Sequence, residues 1–283
     1  MALLKIASCQ FPVSGDIATN ADYICRYMRK AAAKQADVLH TSEASLSGYA
    51  GHNFKSFESF DWDLLRRQTS RIRRLAQGLG VWVALGSAHW LGPKHKPTNC
   101  VYLVGPDGSI VDRYDKCMCT GGDQYHYSGG RRLVARDIKG VRVGLAICYD
   151  VCYPEIYAAY RRMGACLVLH SFHNAGSAGP NCLDVLNQRE VATRCADNRM
   201  WAVANNSSAP YSHWGSFVAR PDATIPITLP RNKAAMLVYD FDKELSPGGW
   251  FHNNKPMKLH PREVLHYGKP TSHARQLNRR AQP

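Results

Sequence analysis

The run Val143-Gly144-Leu145-Ala146-Ile147-Cys148-Tyr149-Asp150 decides how the rest of this chain is read. Mostly apolar residues suited to a buried strand end abruptly in a thiol, with an aspartate two residues later. Val151-Cys152-Tyr153-Pro154-Glu155 follows, and its proline and acid mark the opening turn of a helix. A cysteine between a strand exit and a helix start sits where the positive helix end favours thiolate. Backbone N–H groups there can also receive a developing oxyanion. The competing reading is a small buried hydrophobe, the commonest fate of a free cysteine. This stretch alone leaves both open.

Two further stretches favour chemistry. Asp37-Val38-Leu39-His40-Thr41-Ser42-Glu43 is a short strand-like run that delivers a carboxylate, followed by the turn-like Ser47-Gly48-Tyr49. Ser109-Ile110-Val111-Asp112-Arg113-Tyr114-Asp115-Lys116 is another such run, and it delivers a lysine. A base, a cation and a thiol at the ends of separate strands suit cysteine-dependent acyl transfer. Taken singly, Glu43 and Lys116 read as solvated surface charges. Only the fold can bring such distant residues together.

With these residues in view, the chain resembles the nitrilase, or carbon–nitrogen hydrolase, superfamily from about Lys5 to about Asp242. Ala7-Ser8-Cys9-Gln10-Phe11-Pro12-Val13, Gly15-Asp16 and Asn20 are similar to the family's opening strand and loop. Ser42-Glu43-Ala44-Ser45-Leu46-Ser47-Gly48-Tyr49 resembles its glutamate motif, and Tyr114-Asp115-Lys116 its lysine motif. Ile147-Cys148-Tyr149-Asp150 with Tyr153-Pro154-Glu155 resembles the cysteine motif, and Arg194-Cys195-Ala196-Asp197-Asn198 with Asn205 the later helix and strand. The ordered set is specific where each motif alone is weak.

The resemblance implies a four-layer α-β-β-α sandwich of α/β class, protomers that pair, and a Glu–Lys–Cys site. Cys148 would be the nucleophile and Glu43 the general base. Lys116, helped by the Tyr149 backbone N–H, would stabilise the tetrahedral oxyanion. Independent chemistry agrees, because a thiol of ordinary pKa near ~8.5 needs a neighbouring base or cation at neutral pH. Many members carry a second glutamate between lysine and cysteine. The matching position here is Asp123, in Asp123-Gln124-Tyr125-His126-Tyr127-Ser128-Gly129-Gly130. Its shorter side chain either orients Lys116 or the substrate, or only caps the loop. The neighbouring Cys117-Met118-Cys119 and Gly121-Gly122 are unusual for a pocket wall.

Composition bounds the class. The 283 residues are 45% hydrophobic, ample for one large α/β domain. The apolar runs are short and broken, so no transmembrane segment is expected, and the N-terminus lacks a secretory pattern. Those features point to the cytosol, where the ten cysteines would stay reduced. The close pairs Cys117/Cys119 and Cys148/Cys152 lack the knuckles of a structural zinc site. His170 and His173, three apart as zinc ligands can be, have no motif-linked third ligand, so neither metal nor cofactor is expected. His170 and His173 read as pocket lining or polar packing. The formal net charge of +14 comes from scattered clusters such as Arg66-Arg67 and Arg131-Arg132. Helix surfaces and a solvated tail account for it better than a nucleic-acid site, which would need one basic face with aromatic platforms.

Periodicity predicts helices over residues 20–34, 62–79, 153–163 and 182–199. It predicts strands over 3–9, 38–41, 81–87, 100–104, 110–114, 141–147, 166–171, 200–205, 215–219 and 236–241. Asp107-Gly108 is a hairpin signal. A hydrolase domain is expected over 1–245. Residues 246–283 read as an extended C-terminal tail at an oligomer interface, in a homodimer or larger assembly.

Tyr149-Asp150 resembles the amidase and carbamoylase branches, since true nitrilases more often place Trp-Glu there. The expected activity is therefore cleavage of a non-peptide amide or N-carbamoyl bond through a thioester. The expected partner is a small-molecule amide or carbamoyl substrate, with neither membrane nor nucleic acid involved. Tyr49, Tyr149, His173 and Asn174 are candidate substrate-binding residues because they border the motif loops, as do His52, Tyr125 and His126. An arginine reaching the pocket would suggest a substrate carboxylate. The rival readings are a nitrilase, a nucleic-acid-binding protein, and a catalytically inactive scaffold with the same fold. The last draws on Asp123 and the Cys117–Gly122 loop.

Overall fold

A computed structural model describes residues 4–241. The predicted tail and its boundary at residue 245 lie outside the described residues. Two six-stranded sheets form the centre. The first runs in the order β12(Ala235–Phe241), β1(Leu4–Gln10), β2(Val38–His40), β3(Trp82–His89), β4(Thr98–Val104), β5(Ile110–Asp115). The second runs β11(Ile227–Thr228), β10(Phe217–Ala219), β9(Trp201–Asn205), β8(Leu167–Ser171), β7(Val141–Ile147), β6(Ala135–Ile138). In both, three central strands are parallel and the outer ones antiparallel.

Strand alternation builds the four layers. Along β7, Val143, Leu145 and Ile147 face inward to meet Leu4, Ile6 and Val38 of the first sheet. Ala146 faces outward, toward Ile156 and Tyr160 of α4(Pro154–Arg162) and Val191 of α5(Leu183–Asn198). In the first sheet, Ala7, Cys9, Val83 and Leu85 face α1(Ile17–Ala33) and α2(Trp62–Leu79). Central strands covered on both faces read as nearly continuous apolar runs. The layers are thus α-β-β-α, as the resemblance implied.

The predicted elements all occur, with ends displaced by a few residues at most. Periodicity passed over four short ones: β6, the two-residue β11, α3(Asp123–His126) and the 3-10 turn Cys148–Cys152. Each is too brief to show a repeat. Among the described residues no helix is long and apolar enough to cross a membrane, and no disulfide joins any of the ten cysteines. Many arginines are taken up in ion pairs on separate surfaces, including Arg71–Asp22, Arg132–Asp112 and Arg142–Asp137. Scattered exposed pairs of this kind add little stability individually.

Polar side chains tie the sheets together near one end. The Asn205 carboxamide donates to Ser8 Oγ at 2.7 Å and to the Cys9 carbonyl at 2.8 Å. Ser171 Oγ donates to the Thr41 carbonyl at 2.9 Å. The Glu43 N–H donates to the Phe172 carbonyl at 3.2 Å. That end carries the site.

Candidate active site

Glu43 leaves β2 in a tight turn whose backbone is latched to β3. The Gly86 N–H donates to Thr41 Oγ1 at 2.9 Å, and Ser45 Oγ donates to the Gly86 carbonyl at 3.0 Å. The approach is so close that a Cβ on Gly86 would lie 1.9 Å from the Ser42 carbonyl oxygen. Lys116 leaves β5, its N–H bonded to the Asn99 carbonyl at 2.8 Å. Gly130 closes behind it, where a Cβ would meet the Asp115 carbonyl oxygen at 2.2 Å.

Both charges are fully buried and in contact. Lys116 Nζ lies 2.7 Å from Glu43 Oε1 and 2.9 Å from Asp123 Oδ2. Asn99 Nδ2 donates to the same Glu43 oxygen at 2.7 Å. Asp123 also accepts from the Thr120 N–H at 2.8 Å and from the Tyr49 hydroxyl through a short bond. It therefore touches Lys116 despite its shorter side chain, and it orders the preceding loop as well.

The environments push the two carboxyls apart. Burial raises Glu43 above the usual carboxylate range, with Lys116 opposing and Asp123 adding to the rise. Burial also works against the Asp123 charge, but Lys116, the Tyr49 hydroxyl and the Thr120 N–H outweigh it and hold Asp123 low. Asp123 is thus the carboxyl held anionic, while Glu43 is the one whose affinity for a proton is raised. Burial disfavours the Lys116 charge, yet Glu43, Cys148, Tyr49 and Asp123 raise its pKa well above that of an ordinary lysine.

Cys148 opens a 3-10 turn, Cys148–Cys152, straight after β7, with φ at +45°. A non-glycine residue there costs on the order of 1–3 kcal/mol and is held only by a surrounding that over-determines it. Asp150 supplies that surrounding. Its carboxylate accepts from the Ile147 N–H at 2.8 Å, the Met118 N–H at 2.9 Å and the Tyr114 hydroxyl at 2.7 Å. The cysteine turn is thereby bolted to the lysine strand and to the loop through Met118. His170 Nε2 donates to the Cys148 carbonyl at 3.2 Å, and Nδ1 of the neutral ring accepts from the Tyr157 hydroxyl at 2.9 Å.

The helix-end argument for a preformed thiolate fails. The helix α4 begins only at Pro154, beyond the 3-10 turn. Burial and the hydrogen-bonded Glu43 carboxylate push the Cys148 thiol well above its usual range, against the pull of Lys116. The resting sulfur is therefore a protonated thiol beside a base.

The remaining candidates divide. Tyr49 stacks on His173 with ring centroids 5.4 Å apart, and its ring lies 5.9 Å from Lys116 Nζ. Asn174 Nδ2 approaches Cys148 Sγ at 3.9 Å. The Tyr149 ring is 37% exposed and packs edge-on against Tyr153 rather than on the charged cluster. Tyr125 is 79% exposed. Residues missed by sequence reasoning include Asn99, which orients Glu43, and Asn206. The Asn206 carboxamide accepts from the Asn174 N–H at 2.7 Å and donates to the Asn174 carbonyl at 3.2 Å. The only signal for either was an asparagine inside or at the end of an apolar run. No three His, Cys, Asp or Glu residues are grouped to hold a metal among the described residues.

Comparison with known proteins identifies the family and its fold. Residues 5–246 match the carbon–nitrogen hydrolase family model. The omega-amidase NIT2 of Homo sapiens is 24% identical over 238 residues, covering 78% of this chain and 82% of that one. The deaminated glutathione amidase of Mus musculus is 27% identical over 190 residues, covering 58% of this chain and 56% of that one. An amidase from Nesterenkonia sp. superposes with a TM-score of 0.74 at 22% identity, covering 90% of this chain and 94% of that one. One structure of that amidase carries the acetamide moiety of fluoroacetamide covalently added at its active-site cysteine. With the family's fold and a match over most of its length, this chain belongs to the carbon–nitrogen hydrolase family.

Proposed function

We propose that this carbon–nitrogen hydrolase is a cysteine-dependent amidohydrolase in which Cys148 is the nucleophile, Glu43 the general base, Lys116 the oxyanion stabiliser and Asp123 the anion that positions Lys116. The observation that carries the reading is the buried Glu43–Lys116–Asp123 cluster, whose Glu43 carboxylate is hydrogen-bonded to the Cys148 thiol. As sulfur attacks the amide carbon, its proton passes to Glu43. The C=O π electrons move onto oxygen, and Lys116, with one of its three donors beyond those used by Glu43 and Asp123, stabilises that charge. Glu43 then hands the proton to the departing nitrogen, and a thioester on Cys148 remains. Glu43 next takes a proton from water, which attacks the thioester; the acid leaves and the thiol is restored. The names of the relatives, all amidases, favour an amide over a nitrile as substrate.

The reading extends to setting and assembly. The ten cysteines without a disulfide suit the cytosol. The exposed Val185 and Leu186 on α5 offer apolar surface suited to pairing with a second copy, which sedimentation would test.

The decisive experiment is intact-protein mass after brief exposure to small amides, carbamoyl compounds and nitriles. The expected result is an acyl adduct in the wild type that is absent in Cys148→Ala. Turnover should fall by about 10⁴-fold or more in that variant, as for other covalent nucleophiles. Undiminished turnover in a folded Cys148→Ala would refute the assignment.

A further inference from the structure

The second sheet brings polar atoms to the site that have nothing to bond. His173 is 8% exposed, yet neither Nδ1 nor Nε2 has a hydrogen-bond partner, and Asn174 Oδ1 has none either. Each buried polar group left so costs about 1–3 kcal/mol, and folded proteins satisfy nearly all of them. Three such atoms on consecutive residues, one of them on a side chain 3.9 Å from Cys148 Sγ, mark a place where a bound molecule supplies the partners.

The atoms are also held still. The His173 ring lies parallel to Tyr49 within 5°, and His52 packs edge-on to it at 5.1 Å. His52 Nε2 is in turn fixed on the Ala175 carbonyl at 2.9 Å. Asn206 grips the Asn174 backbone from both sides. A site rigid before binding loses little freedom when it binds.

Charge narrows the ligand. Lys116 is the cation paired with Glu43 and Asp123, so its charge is already shared between two carboxylates. Burial, with His52 and Lys116 adding to it, pushes the His173 imidazole down to about 3, so at neutral pH the ring is uncharged, with one donor and one acceptor nitrogen. A carboxylate on the substrate's acyl chain would be buried against a neutral ring near two anions, which is costly. A hydroxyl or a second carboxamide both donates and accepts, as this pair of side chains requires.

We infer that His173 and Asn174 form a subsite for an uncharged hydrogen-bonding group on the acyl part of the substrate, so that the enzyme selects neutral polar amides over amides bearing a carboxylate. The inference rests on the amidohydrolase reading and specifies its substrate class.

The test uses the full chain and three amides of similar size: succinamide, succinamate and pentanamide. Succinamide and succinamate differ only in the remote carboxamide or carboxylate. The expected kcat/KM favours succinamide by about tenfold or more over each of the others, one to two net hydrogen bonds' worth. In His173→Phe, which keeps an aromatic ring against Tyr49 but removes both nitrogens, the preference for succinamide over pentanamide should collapse to within about threefold. Equal or better use of succinamate by the wild type overturns the inference even if the variant fails to fold, and so does a preference that survives His173→Phe. Cys148 adducts formed without discrimination would sink this inference alone. No adduct and no turnover with any amide would sink the amidohydrolase reading, and this inference with it.

Discussion

The two sheets contribute to the site in matching places and in opposite ways. Each sends a residue out of a buried parallel strand into a left-handed backbone position, at Ala44 beside Glu43 and at Cys148 itself. On the first sheet's side, Glu43, Lys116 and Asp123 satisfy one another, with Asn99, Thr120 and Tyr49 completing the set. On the second sheet's side, the backbone is bolted by Asp150 and Asn206, while His173 and Asn174 are left with unfilled bonding capacity. The first half pairs its charges with one another, though Asn99 Oδ1 and Ser42 Oγ have no partner, and the second leaves both ring nitrogens of His173 open.

The largest break in that comparison should come from Glu43→Gln, which keeps the shape of the first network but not its proton acceptor. Turnover of an amide should fall by roughly 10²–10⁴-fold, the usual range for a lost general base. The wild type needs Glu43 ionised, so its kcat/KM should rise with pH through an acid limb lying above the ordinary carboxylate range, because burial raises that carboxyl. The limb should disappear in the variant. An unchanged pH profile would remove Glu43 from the role.

Gly86→Ala tests the frame rather than the charge. The added Cβ collides with the Ser42 carbonyl, so the glutamate turn must move away from β3. Overpacking of this kind costs about 1–3 kcal/mol, visible as a lower denaturant midpoint. A displacement of ~1 Å at Glu43 is enough for about 100-fold in turnover. Wild-type stability and activity in Gly86→Ala would mean the turn is not held as described.

Asn206→Ala should do least, and in a different currency. The open side would keep its atoms but lose the grip on Asn174, so KM should rise more than kcat falls, with about a tenfold loss in kcat/KM. An equal fall of kcat and kcat/KM would place Asn206 on the chemical side instead.

How much of this was legible in the sequence follows from the range of each signal. Cys148 stands out because it ends an apolar run, and Glu43 and Lys116 because each closes a strand-like run inside a family-like motif, patterns readable within a few residues. The strands and long helices were legible from periodicity in the same way, whereas the four layers followed only from the family resemblance. Asn99, Asp150 and Asn206 could not be assigned roles, because an asparagine or aspartate takes its meaning from partners distant in the chain, as when Asp150 holds Met118 and Tyr114. The state of the thiol was misread from local sequence: the 3-10 turn holds the helix end away, and Glu43, supplied by the other sheet, raises the thiol's pKa.

The Asn205 carboxamide, reaching from β9 to Ser8 and Cys9 on β1, has a consequence for how the protein comes into being. On the ribosome the base, the ammonium and its counter-anion emerge first, then the thiol, and only later the asparagine that draws the second sheet onto the first. The nucleophile therefore spends the early life of the nascent chain as an ordinary cysteine. On the proposed assignment, Cys148 meets its base only when the sandwich closes.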